Sequence, residues 1–141
     1  DPSFKVAPRL IGCVLHHDNR GQHVAMKIVE TEAYDKSEQA IHLGKSQLLP
    51  YGHTYVHPYR NMWAIDLVCD LEEHGSSVLL RAAVPVIGID IMTERRSADA
   101  KAESAIRERK PGFEKKLCKG PCNLGEALGL YETLDGASLF K

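Results

Sequence analysis

The chain has 141 residues, 43% hydrophobic and 26% charged, which suits one domain of the α/β or α+β class with a core of its own. Its formal net charge of −1 excludes a global basic field, so an anionic partner would have to meet a local patch. No apolar run is long enough to span a bilayer, and no basic–apolar–small signal segment is present.

From residue 5 the chain reads as a short helix around Leu10 and Ile11, with Pro8 in its first turn, where a missing N–H is tolerated. Gly12 lets the chain open into a strand, Cys13-Val14-Leu15-His16. Asp18-Asn19-Arg20-Gly21 is a turn signature, and Val24 to Tyr34 is the return strand of a hairpin. His16 and His17 beside that turn read as surface residues. Within the return strand Val24, Met26 and Ile28 share one face, and that face runs on into Glu30 and Glu32. A carboxylate near a core is costly unless it is partnered, so a greasy stripe that ends in two acids is unusual. Residues two apart on a strand are separated by about 6.6 Å, and both acids could reach one concave site. The alternative is a strand that leaves the core with both acids in water.

Residues 35–53 are polar and then punctuated by glycine and proline, a length and composition typical of functional or mobile loops. The loop follows the two acids directly and could fold over them; His42 within it, taken alone, reads as a surface histidine. A second hairpin runs in through Thr54-Tyr55-Val56-His57 and out through Met62 to Cys69, with Pro58-Tyr59-Arg60-Asn61 at its tip. Pro58 lacks a ladder donor, so this arm lies at an edge or ends there. A tip carrying a tyrosine, an arginine and an asparagine suits a polyanion with stacking bases, or is a plain exposed turn.

After a turn at Glu72 to Ser77, Val78 to Val84 reads as a strand buried on both faces. Arg81 inside it requires an anionic partner, for which Glu30 and Glu32 are the candidates. Ile87 to Arg95 reads as an amphipathic helix with Ile87, Ile91 and Met92 on one side. Residues 95–116 are charge-dense with few apolar anchors, the pattern of a solvated helix or a disordered loop. Gly120-Pro121 then opens a short helix with Leu124, Ala127 and Leu128 facing in, and its N-terminus is suited to a phosphate. Tyr131 to Lys141 reads as a turn and the start of a strand. There is no internal repeat and no domain boundary.

The four cysteines, Cys13, Cys69, Cys118 and Cys122, are irregularly spaced, and reduced, mostly buried thiols in an intracellular compartment are expected. Cys118 and Cys122 could be half of a zinc knuckle, but a second pair at ligand spacing is missing. No metal and no cofactor is expected.

Five words occur in one order: Val6-Ala7-Pro8-Arg9-Leu10-Ile11-Gly12, Ile28-Val29-Glu30-Thr31-Glu32-Ala33-Tyr34, Gly52-His53-Thr54-Tyr55-Val56, Val78-Leu79-Leu80-Arg81-Ala82 and Gly120-Pro121-Cys122-Asn123-Leu124. In that order the chain resembles the alkyladenine (3-methyladenine) DNA glycosylase family over nearly its whole length. The resemblance implies an α+β single domain over residues 1–141, a mostly antiparallel curved β-sheet with flanking helices and a protruding β-hairpin. Domains of the family continue beyond the point where this chain ends, so the resemblance also implies a missing C-terminal part. The implied activity is that of a monofunctional, metal-free enzyme, which flips an alkylated or deaminated purine out of duplex DNA and hydrolyses its N-glycosidic bond. Glu32 then matches the general base that activates water, and Arg81 the arginine that holds that carboxylate. Tyr34 and His42 match aromatic walls of the base pocket, and His57 falls where the family has a further pocket tyrosine. Tyr59, Arg60 and Asn61 match the hairpin that fills the hole in the DNA stack, with Arg60 at the wedge position by ungapped counting and Tyr59 the better plug. The family's pocket asparagine has no match; Asp66 or Leu67 stands there. A monomer is implied, in the nucleus of a eukaryote or the cytoplasm of a bacterium.

The residues support those roles chemically. An oxocarbenium-like state needs a carboxylate near the developing cation and a water aligned on the sugar carbon. An alkylated purine is already a cationic leaving group, and aromatic faces favour it by stacking and cation–π attraction. Two other classes remain open: a catalytically weak relative that binds DNA lesions, and a small metal-stabilised interaction domain built on Cys118 and Cys122.

Overall fold

The computed structural model describes residues 1–34, 51–69, 76–98, 103–131 and 134–139. Helix α1 (Ser3–Leu10) leads into the hairpin of β1 (Val14–Asn19) and β2 (Gln22–Tyr34). A second hairpin, β3 (Thr54–Tyr59) and β4 (Met62–Val68), precedes the long strand β5 (Ser77–Ile87). Four short helices follow: α2 (Ile89–Ser97), α3 (Ser104–Arg107), α4 (Glu114–Leu117) and α5 (Pro121–Leu128).

The strands make one antiparallel sheet in the order β1-β2-β5-β4-β3, so β5 inserts between the two hairpins and joins them. The register of β2 on β5 shifts after Ala25 and again on either side of Glu30. Such bulges add twist and curl the sheet. The architecture is therefore the expected α+β single domain with a curved antiparallel sheet. Strands β3 and β4 pair down to Tyr59 and Met62, but β4 pairs β5 only over Asp66–Val68. The outer half of this hairpin thus protrudes from the sheet. Where β4 departs, Cys118 and Lys119 take over the edge of β5, through Ala83 N–H to Cys118 O (3.0 Å) and a bridge between Ala82 and Lys119. The fork between the strands opens beside Arg81.

One sheet face carries the core. Val24, Met26, Ile28, Val56, Ile65, Leu67 and Leu80 pack against Met92, Ile106, Leu117, Leu124 and Leu128 from the helices. Pro58 lies in the edge strand β3, where a missing donor costs no ladder bond. That edge is covered by residues 135–139: Thr54 N–H bonds Ala137 O (2.8 Å) and Val56 N–H bonds the Asp135 carboxylate (3.0 Å).

Several expectations are corrected. Pro8 stands in the last turn of α1, not its first; tertiary contacts hold the helix there, with Ala7 buried and its carbonyl accepting from the Thr31 hydroxyl (2.9 Å). Ile87 belongs to β5, paired with Ala25, and the helix begins at Ile89. Within 95–116 most described residues are exposed, as a solvated segment requires, but they are folded into short helices and anchored: Ile106 and Phe113 enter the core, Leu117 follows just beyond, and Arg96 is buried. Few anchors suffice because each is bulky and inserted. Of the four cysteines, none in a disulfide, only Cys118 is buried, and Cys13 is exposed. The turn before Ser76 and the loop 35–50 lie outside the described residues, as does His42. No helix among the described residues is long and apolar enough to cross a membrane.

Candidate active site

Across the sheet Glu32 pairs with Leu79, Leu79 with Asp66, and Asp66 with Tyr55. Paired residues point to the same face, so this row and its two-residue neighbours Tyr34, Ser77, Arg81 and His57 share the face opposite the helical core. The stripe of Val24, Met26 and Ile28 does not run on into the acids. The extra residue around Glu30 turns the pattern over, sending Glu32 to the far face and leaving Glu30 exposed, with no ion pair among the described residues.

Glu32 is engaged at both carboxylate oxygens. Arg81 Nη1 donates to Oε2 at 2.7 Å, and the Tyr34 hydroxyl donates a short hydrogen bond to Oε1. The two charged side chains remain 38% and 42% exposed, Arg81 and Glu32 respectively, so the pair is accessible rather than sealed. Burial pushes the Tyr34 phenol well above its ordinary value. The hydrogen bond to Glu32 and the charges of Glu32 and Asp66 add to the rise, against the pull of Arg81. Tyr34 therefore stays a proton donor to the carboxylate across the physiological range.

Deeper on the same face, His57 Nε2 donates to Asp66 Oδ1 (2.8 Å) and the Ser77 hydroxyl to Oδ2 (2.7 Å), with Tyr55 stacked on His57 at 4.6 Å between centroids. All four side chains are buried. Sequence reasoning placed Asp66 or Leu67 where the family has a pocket asparagine, but gave Asp66 no partner and Ser77 no role. An acid inside the apolar run Ala64 to Cys69 is the same signal that singled out Arg81, and could have found it.

At the hairpin tip Arg60 and Asn61 adopt left-handed backbone, φ 50° and 66°. Two such residues make the two-residue turn whose twist matches an antiparallel hairpin. Arg60 is exposed and its guanidinium lies 5.3 Å from the Tyr59 ring centroid. Below the tip, the fork between β4 and β5 forms a cleft of about 440 Å³ lined by Tyr59, Arg60, Met62, Arg81 and the first turn of α5. The tip and the Glu32–Arg81 pair thus border one connected region, with Arg81 in both.

The Cys118 thiol points into the core against Met92 Sδ (3.8 Å), and burial pushes it up to about 12. The Cys122 thiol contacts Tyr59 O at 3.3 Å. The two cysteines thus diverge, and among the described residues no group of three or more His, Cys, Asp or Glu side chains is placed to hold a metal ion.

A profile of the family described as Methylpurine-DNA glycosylase (MPG) matches residues 1–141, the whole chain. The chain belongs to this family. Methylpurine-DNA glycosylase relatives named "Putative 3-methyladenine DNA glycosylase" include one from Nitrosospira multiformis, 34% identical over 97% of this chain and 66% of its own length. One from Corynebacterium glutamicum strain R is 38% identical over 99% of this chain and 63% of its own. A third, from Granulibacter bethesdensis, is 36% identical over 99% and 62%. The chain thus spans somewhat less than two thirds of the length of these family members.

Proposed function

We propose that this chain carries the catalytic carboxylate of a DNA glycosylase. Its substrate is duplex DNA holding a damaged purine, alkylated or deaminated, which is turned out of the stack before its N-glycosidic bond is hydrolysed. The observation that carries this reading is the Glu32 carboxylate, ionically held by Arg81 and hydrogen-bonded by Tyr34, half-exposed beside a cleft that runs to the hairpin tip. A carboxylate fixed in this way keeps lone pairs free to accept a proton from water while its charge faces the developing sugar cation.

In this reading water attacks the anomeric carbon, its proton passes to Glu32, and the bond electrons leave with the purine. Arg81 fixes the carboxylate's rotamer, and Tyr34 supplies both a hydrogen bond and an aromatic face for an electron-poor ring. Buried His57, oriented by Asp66, forms the pocket's inner wall. Tyr59 and Arg60, stacked on each other, occupy the gap left by the displaced nucleotide. The test is single-turnover base release from alkylated duplex DNA by the 141-residue chain, beside Glu32→Gln. Release by the parent and none by the variant is expected. Equal rates in both would remove Glu32 from the mechanism.

A further inference from the structure

The hairpin tip divides two clefts of similar size. Arg60 lines the one that contains Arg81, about 440 Å³; Asn61 lines the other, about 470 Å³; Met62 borders both. Helix α5 floors both as well, with Gly120–Asn123 on the first side and Gly125, Glu126 and Gly129 on the second. Both volumes fall within the roughly 300–1,000 Å³ of ordinary ligand sites.

Among the described residues, the second cleft has a cation with no carboxylate bound to it. Arg95, half-buried in its wall, makes one hydrogen bond among the described residues, Nη1 to Ala127 O at 2.9 Å. Four of its five N–H donors are thus uncommitted. Its neighbour Arg96, by contrast, spends Nε on Glu126 (3.1 Å) and Nη1 on the carbonyls of Lys116 (2.9 Å) and Leu117 (2.7 Å). The Glu126 carboxylate in the cleft is therefore already offset by Arg96, which leaves Arg95 as the net charge. Burial alone displaces Arg95 from its ordinary value, downward, with no carboxylate opposing the displacement.

The seat of this guanidinium is built closely. A Cβ at Gly129, φ +80°, would come within 2.7 Å of Arg95 Cζ, and one at Gly125 would come within 2.1 Å of Trp63 O. Any side chain at either position would displace Arg95 or the start of β4. Half-buried Trp63 and exposed Asn61 complete the wall. A guanidinium, an indole and an amide together suit a nucleotide: Arg for phosphate, Trp for a base face.

A wedge driven into a base stack has one strand on each flank. The Glu32–Arg81 side meets the strand whose base is displaced, which leaves the opposite flank facing the other strand. We infer that the cleft of Asn61, Trp63 and Arg95 binds a nucleotide of the undamaged strand, its phosphate on Arg95. This rests on the glycosylase reading but not on catalysis.

The experiment measures binding by fluorescence anisotropy over a salt series. The probe is a DNA duplex with a tetrahydrofuran abasic-site analogue, beside the lesion strand alone. Arg95→Gln is expected to weaken duplex binding about five- to tenfold and to lower the slope of log K against log salt by about 0.9, one phosphate's worth. Single-strand affinity should change by less than about twofold. Arg95→Lys should restore most of the salt slope. Ala98→Glu places a carboxylate in the cleft from the exposed end of α2 without touching the seat of Arg95, and should weaken duplex binding in the same direction. It decides the matter if Arg95→Gln fails to fold in a thermal melt. Unchanged duplex affinity and slope in both variants, or equal losses on duplex and single strand, would overturn the inference while parental lesion binding leaves the glycosylase reading standing. A parent that binds neither probe would bring down that reading as well.

Discussion

Arg81–Glu32 and Arg96–Glu126 are the same two residue types at similar separations, 2.7 and 3.1 Å, in opposite settings. The Arg96 side chain is 6% exposed and that of Glu126 22%; the first pair stands at 38% and 42%. Arg96 also ties the end of α4 to α2 and α5 through two backbone carbonyls, so it closes a junction between three helices. Arg81 has no such duty, and lies where β4 and β5 part. A buried pair loses much of its Coulombic gain to desolvation and serves geometry, whereas a half-wet pair keeps a carboxylate reachable. The difference is one of location: one pair is sealed under helices, the other stands at a fork the sheet leaves open.

The strongest way to break this contrast is at Glu32. Glu32→Gln should slow base release by roughly 10²- to 10⁴-fold in single turnover, the usual range for loss of a general base, with little change in urea denaturation. A large stability loss with retained activity would make this pair structural too. The mirror experiment is Arg96→Met. It should cost about 3–5 kcal/mol in urea denaturation by taking the buried guanidinium away from the Glu126 carboxylate and two carbonyls, while folded protein keeps its rate within a few fold.

Tyr34→Phe sharpens the picture of the open pair. Loss of one hydrogen bond to a charged group should slow base release about tenfold. It also carries a pH signature. The folded phenol holds its proton above the ordinary tyrosine value of about 10, at which the unfolded chain releases it. Stability from that proton is complete below about pH 10 and is lost as pH rises further, since the unfolded state then binds fewer protons. Thermal melts from pH 9 to 11 should therefore fall less steeply in Tyr34→Phe than in the parent; Tyr55, also raised by burial, retains its share in both. The smallest effect belongs to Glu30→Gln, within about 0.5 kcal/mol in stability and less than twofold in rate, because Glu30 is exposed. A Glu30 effect as large as that of Glu32 would dissolve the distinction the bulge makes between them.

Much of this was legible before any coordinates. Both hairpins, the long strand carrying Arg81 and the helix after Gly120-Pro121 follow from alternation, turn chemistry and a proline at a helix start. The demand of Arg81 for an anion pointed to the β2 acids, but could not choose between them. The family resemblance named Glu32, and the physical reason is a register shift at Glu30, a property of β2 against β5 rather than of either strand. The anchors of residues 95–116, a largely exposed segment, were missed for a related reason. Charge density describes a segment's surface, whereas Ile106, Phe113, Leu117 and Arg96 are placed by helices that meet only in the folded chain.

By itself the sequence determined the order of elements, the inward positions of α5 and the requirement that the arginine of β5 meet an acid, while the α+β class came with the family resemblance. These are local or pairwise constraints, written in periodicity and in the cost of burying charge. Only the tertiary structure decided why Glu32 and not Glu30 reaches that arginine, that Asp66 is held by His57 and Ser77, and that the hairpin tip parts two clefts, each with its own arginine. Those features depend on strand order, bulges and the fork between β4 and β5, which bring together residues far apart in the chain.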